Sequence, residues 1–221
     1  MKAVSLISGG FDSAVASAVL LEKNVELIGV HFSIEPFTDN APEEKTKLIC
    51  KKLGIKRLYV IQSGEMFAEL TKKCDPRLYF ILSKRLMYRI ASELAKKYEC
   101  DIIVTGESLG QVSSQTLKNL SVLSNATSMM VIRPLLAWDK DLIIKKSREL
   151  GLYNLCSGPE VCDQLGPKHP ATGTSDIAVK KEEGNIKPGA GESRMPSARA
   201  ALPGINDAAV SRDGGPTSLG R

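Results

Sequence analysis

Three groups of residues in this chain have types and spacings suited to chemistry. The first is Ser8-Gly9-Gly10-Phe11-Asp12-Ser13, between an apolar run and a helix-like run. Such a turn points backbone N–H groups and the positive end of a helix dipole at an anion. The glycines let the main chain approach a phosphate, and the serine hydroxyls add donors. Asp12 would repel a bare phosphate, so it fits a role in holding Mg²⁺ or orienting donors. The plainer alternative is a tight βα turn in which Asp12 or Ser13 caps the helix. The second group is the polar stretch 105–120, with Gly106, Gln111, Gln115 and three serines. Its donors and acceptors suit a nucleotide or base edge, or simply a capped surface helix. The third is Cys156 and Cys162 on a Gly/Pro-containing stretch close to Lys168 and His169. A nearby cation favours the thiolate or persulfide form of a cysteine; the alternative is an inert loop thiol.

Single residues at the ends of strand-like runs add to these. His31 and Phe32 close one run, where His31 is either a ligand contact or a half-buried histidine. Arg133 follows another, where it suits a nucleotide phosphate or a surface ion pair. Trp138 offers a base-stacking surface or apolar cover. Lys84, Arg85, Arg89, Lys96 and Lys97 would form an RNA-facing or simply solvated helix face.

The elements that must position these groups are legible as periodicity. Short apolar runs predict strands over Lys2–Ile7, Val25–Phe32, Arg57–Gln62, Asp101–Thr105 and Met129–Ile132. Helical spacing predicts helices over Ser13–Lys23, Pro42–Leu53, Glu65–Lys73, Pro76–Tyr98 and Lys140–Leu150. Pro42 suits a first turn, while Gly54 and Gly151 suit helix ends. Strand–helix alternation implies an α/β, Rossmann-like, doubly wound parallel sheet of about five strands, covered on both faces. Ligands in such sheets sit beyond the carboxyl ends of the strands, where the candidate groups fall.

Composition bounds the function class. The chain has 221 residues, 43% hydrophobic and 25% charged, with a formal net charge of +5. No run is long enough to span a membrane, and the first residues lack a signal-peptide pattern. A soluble, cytoplasmic protein without membrane partners is expected. Five cysteines with no CxxC pair give neither a disulfide framework nor a local zinc or iron–sulfur signature. The mild basicity permits a polyanionic partner without demanding one. Residues from 171 onward contain no aromatic residue and no cysteine. One folded domain over 1–172 and a disordered tail over 173–221 are therefore expected.

The string SGGxDS after a first strand resembles the pyrophosphate (PP) loop of ATP pyrophosphatases. The stretch TGESLGQVSSQTLKNL (105–120) closely resembles a signature of the tRNA 4-thiouridine synthase family, the tRNA uracil 4-sulfurtransferases. Arg133-Pro134-Leu135-Leu136 with Trp138-Asp139-Lys140 and Pro159-Glu160-Val161-Cys162 are also similar to that family, over residues 2–172. The resemblance implies ATP and Mg²⁺ as cofactors, tRNA as substrate and a persulfide or sulfide donor, with a link to thiamine biosynthesis. It implies adenylation of uridine O4 with pyrophosphate release, then sulfur transfer from a cysteine persulfide. It implies a nucleotide site of Ser8, Gly9, Gly10, Asp12, Ser13, His31, Phe32, Gly106, Gln115 and Arg133, with Asp12 on Mg²⁺. Cys162 matches the sulfur-carrying cysteine, with Cys156 as a second thiol. No iron–sulfur cluster is expected, because Phe80-Ile81-Leu82-Ser83 lacks cysteine. Members of the family carry an RNA-binding THUMP domain, and some a rhodanese domain. Neither is expected here, so RNA affinity would come from a separate domain or protein; a homodimer is compatible. Two alternatives remain at this stage: a PP-loop enzyme adenylating another substrate for amidation, and a non-catalytic nucleotide-binding subunit.

Overall fold

Strands whose neighbouring residues point to opposite faces build the sheet. In the computed structural model, which describes residues 1–112, 114–158, 165–186 and 198–202, the strands are β1 (Lys2–Leu6), β2 (Glu26–Ser33), β3 (Arg57–Gln62), β4 (Ile102–Val104), β5 (Met130–Ile132) and β6 (Ala198–Ala200). Their order is β5-β4-β1-β2-β3-β6, parallel except for β6, which pairs antiparallel with β3. Ala3, Leu27, Leu58 and Ile102 enter one apolar cluster, while Val4, Ile28, Tyr59 and Ile103 enter the other. That period of two is what a sheet covered on both faces requires.

Helices α1 (Phe11–Leu21), α2 (Ala41–Leu53), α6 (Lys140–Glu149) and α7 (Tyr153–Cys156) cover the first face, through residues such as Val15, Ile49, Ile143 and Cys156. Helices α3 (Gly64–Lys73), α4 (Tyr79–Lys97), α5 (Leu117–Ser124) and α8 (Asp176–Glu183) cover the second, through Phe67, Leu82, Leu120 and Val179. Pro42 and Gly54 stand in the first turn and at the C-cap of α2, Gly54 with φ +73°. The helix expected over Pro76–Tyr98 begins instead with a 3₁₀ turn, Pro76–Leu78, because the Asp75 side chain accepts the Arg77 N–H. Among the described residues no helix is long and apolar enough to cross a membrane.

Two elements arise in the segment expected to be a disordered tail from 173 onward. Ser175 caps α8, accepting the Ala178 N–H, and Val179 is fully buried. The rest of the docking is polar. Glu183 accepts from Arg85 Nε at 2.8 Å and from Arg89 at 2.6 Å, and Asp176 lies 3.4 Å from Arg85. Glu182 accepts the Asp75 N–H at 2.8 Å. Strand β6 adds Arg199, whose guanidinium pairs with the buried Glu43. Apolar composition gives no warning of a helix held mainly by ion pairs. Arg85 and Arg89 consequently pair with α8; Arg85 is only 1% exposed, while Arg89 keeps part of its side chain in solvent.

The Arg85–Glu183 pair sets a stability test. Glu183→Ala leaves a buried cation with one distant carboxylate, at a cost of about 3 kcal/mol. A lower urea midpoint with an unchanged slope is expected. The double variant Arg85→Met/Glu183→Leu should recover most of the loss, since no charge is then stranded.

Candidate active site

From β1 the chain steps to β2 and β3, then returns through α4 to β4 on the other side of β1. The strand order reverses between β1 and β4, which is where open parallel sheets bind ligands. The loops after these two strands are Ser8–Gly10 and the beginning of the 105–120 stretch.

The first loop is held open by its own hydroxyls. Ser13 Oγ donates to Gly10 O at 3.1 Å and accepts the Ser8 N–H at 3.1 Å; Ser8 Oγ lies 3.2 Å from it. Ser17 Oγ donates to Ser13 O at 2.8 Å, so the buried Ser5 hydroxyl donates to Ser17. Gly9 takes φ +88°, a conformation that favours glycine. Gly10 is the N-cap of α1, with no side chain capping the helix. The plainer expectation, a helix capped by Asp12 or Ser13, is therefore not what forms. The first N–H groups of α1 have no side-chain cap and can serve an anion.

Gly106 supports this loop from behind. A Cβ added there would lie 2.5 Å from Asp12 C and from Ser13 N. Only a residue without a side chain lets the end of β4 back onto the start of α1. The adjacent Glu107 is buried and gathers two cations. Lys84 Nζ and Arg133 Nε each lie 2.8 Å from its oxygens, and the Tyr88 and Thr105 hydroxyls donate to it. Burial pushes this carboxyl up, but Lys84 and Arg133 outweigh that and hold it at about 2.

Asp12 meets Lys140, which sequence reasoning named within the Trp138-Asp139-Lys140 segment but gave no role. Lys140 Nζ lies 2.8 Å from Asp12 Oδ1 and 3.4 Å from Gln111 Oε1. A lysine at the first residue of a helix opposes the helix dipole. That unfavourable placement, beside the motif similarity of 138–140, was a signal for Lys140, which stands next to the capping residue Asp139.

The remaining candidates divide. Ser8, Gly9, Gly10, Asp12, Ser13 and Gly106 converge on one point. Gln115 Oε1 accepts the Ser108 N–H at 3.0 Å, so it holds the chain where it leaves Glu107. Asn119 is fully buried and clasps Ser114 O, Ala171 O and the Thr174 N–H. Arg133, expected as a phosphate contact, is turned to Glu107, Ser124 and Tyr88. His31 is 3% exposed, and its Nδ1 meets Ile7 O at 3.0 Å. Burial lowers its pKa, so the ring is a neutral part of the core. Phe32 is half-buried against the second cluster. Trp138 is partly buried against the first cluster, as apolar cover. Cys156 is 2% exposed, and burial pushes its thiol up to about 11. It is not presented as a thiolate. Cys162 lies outside the described residues.

The buried carboxylate gives a pH test. Glu107 has a lowered folded-state pKa, so its contribution is present above its unfolded value and lost as pH falls toward about 2. Melting temperature should fall between about pH 4.5 and 2. Glu107→Gln should flatten that part of the profile while lowering stability at pH 7, both read by circular dichroism.

Comparison with known proteins places the chain. The family described as "Thiamine biosynthesis protein (ThiI)" matches residues 1–187. The chain is 38% identical over 187 residues to a protein named "Probable tRNA sulfurtransferase" from Moorella thermoacetica, covering 82% of this chain and 48% of that protein. It is 37% identical over 187 residues to a protein of the same name from Finegoldia magna, with the same coverage. It thus spans about half the length of the curated relatives it matches. Among solved structures, a 4-thiouridine synthetase–RNA complex with bound ATP aligns with TM-score 0.85 and 34% identity, covering 90% of this chain and 54% of that one. NMN synthetase from Francisella tularensis aligns with TM-score 0.51 at 14% identity, covering 86% of this chain and 79% of that one, a likeness of fold alone. With a family match over most of its length and the PP loop at the switch point, the chain belongs to the ThiI family, as its PP-loop domain.

Proposed function

We propose that this chain is the ATP-cleaving half of a tRNA uridine-thiolating enzyme. The observation that carries the reading is the α1 N-terminus, without a side-chain cap and backed by the bare Gly106 backbone. The family match and the named relatives support the substrate class. ATP would lie with its β- and γ-phosphates on the N–H groups of residues 9–13 and the Ser8 hydroxyl. Uridine O4 attacks the α-phosphorus, and pyrophosphate departs. The terminal sulfur of a Cys162 persulfide then attacks C4 and AMP leaves; a second thiol attacks the Cys162 sulfur, breaking the S–S bond to release 4-thiouridine and leaving a disulfide that an external thiol reductant must reduce. Activation is needed because a uracil oxygen is a poor leaving group.

The residues present fit a Mg²⁺ ion held mainly by phosphate oxygens and water, which needs few protein ligands. Asp12, whose Oδ1 is paired with Lys140, would be its protein ligand. When bound, the ion would neutralise charge on the departing pyrophosphate. Lys140 keeps the Asp12 carboxylate from repelling the nucleotide. Glu107 acts at a distance by fixing Gly106, and Arg133 acts through Glu107. RNA would be bound together with a further domain or protein.

The test is pyrophosphate release and 4-thiouridine formation with bulk tRNA and a persulfide donor. Gly106→Ala should displace the phosphate loop and lower pyrophosphate release by on the order of 100-fold, the scale of losing a placed donor. Cys162→Ala should retain tRNA-dependent pyrophosphate release and lose 4-thiouridine. Normal thiolation by that variant would remove Cys162 from the mechanism; no release with any tRNA would overturn the whole reading.

A further inference from the structure

Residue Lys45 stands against the phosphate loop from the side opposite β4. A Cβ on Gly9 would lie 3.2 Å from Pro42 O and 3.3 Å from Lys45 Cβ, so the first turns of α2 pack directly on the loop. The Lys45 side chain then runs to Gly158, where an added Cβ would lie 3.1 Å from Nζ. Gly158 follows the end of α7 by two residues, so the ammonium lies where α2 meets the end of α7, while Lys45 Cβ packs on the loop.

The charges around the loop make this lysine distinctive. Lys47, two residues on, pairs with Glu43 and Glu44 at 2.8 and 2.7 Å. Lys140 pairs with Asp12 and so brings no net charge. Lys84 and Arg133 are committed to Glu107. Among the described residues no carboxylate lies within ion-pair distance of the half-buried Lys45. The α1 N-terminus supplies only about half a charge, against a pyrophosphate carrying several negative charges. Among the described residues the Lys45 ammonium is thus the cation beside the loop that is free to meet an added anion.

We propose that Lys45 is a catalytic residue of the nucleotide site, contacting the β- and γ-phosphates and stabilising the pyrophosphate as it leaves. The inference rests on the function proposed above and adds a residue to it. As the O4–Pα bond forms, the bond from Pα to the bridging oxygen breaks and its electron pair passes to that oxygen. Lys45 transfers no proton; it offers a fixed positive charge where negative charge grows.

Binding of inorganic pyrophosphate and of AMP, measured separately by calorimetry on the full chain, tests this. Lys45→Met should weaken pyrophosphate binding about tenfold or more, a difference of about 1.4 kcal/mol. AMP, which lacks the β- and γ-phosphates, should bind within about twofold of the parent. In the tRNA-dependent reaction kcat should fall by on the order of 100-fold. Lys45→Arg should recover most pyrophosphate affinity, and Lys51→Met, on the same helix, should behave as the parent. Unchanged pyrophosphate affinity in Lys45→Met, or an equal loss of AMP affinity, would overturn the assignment. A parent chain that binds neither molecule would overturn the proposed function itself, and the Lys45 role with it.

Discussion

The Glu107 carboxylate is the interaction on which the geometry of the site depends. It sits in an apolar interior with Lys84 and Tyr88 from α4, Arg133 from the end of β5, and Thr105 from the end of β4. A buried charge is tolerated only when its partners are complete. Each partner therefore fixes the position of the others, and three elements are locked together behind the phosphate loop. Gly106 is the next residue back along the chain, so a shift of the carboxylate would be transmitted directly to the back of the phosphate loop. The wall stays rigid while the front of the loop remains accessible.

Electrostatics at the front follows a different rule. The loop offers partial charges from N–H groups, and Asp12 subtracts from them. Lys140 restores neutrality from α6, and Lys45 approaches from α2. Site charge is thus assembled from three helices on one face of the sheet, each brought in by its own packing through Val15, Ile49 and Ile143. The charged side chains around the loop need no common sequence motif, because the topology alone brings them together.

Local physics made the sheet, the helices and the phosphate loop legible. Alternating burial, helical stripes and glycine at strand ends are properties of neighbouring residues, and the expected parallel order rests on them. The site was legible where it is made of backbone, at residues 8–13 and Gly106. It was not legible where it depends on partners distant in sequence. Gln115 looks like a ligand donor in a polar string, yet the fold turns it to Ser108, and the neighbouring Thr116 and Asn119 to Thr172 and residues 171–174. Arg133 has the right type and place for a phosphate, but its nearest anion is Glu107, 26 residues earlier. His31 ends a strand as expected, and the register buries it. Helix α8 escaped because its docking is ionic, whereas the composition argument weighed only apolar area.

Helix α8 also acts as a cover. Cys74 is buried beneath it, its thiol against the Glu182 carbonyl at 3.5 Å. One apolar side chain and several ion pairs hold that cover down; the more exposed of these, Arg89–Glu183 and Lys180–Asp176, weaken as salt screens them, and the buried Arg85 pair much less. The cover should lift in a local opening well below the energy of global unfolding. Alkylation of Cys74, set against the more deeply enclosed Cys50, therefore reads the lifting of α8 directly, and its rate rises with ionic strength while the sheet stays intact.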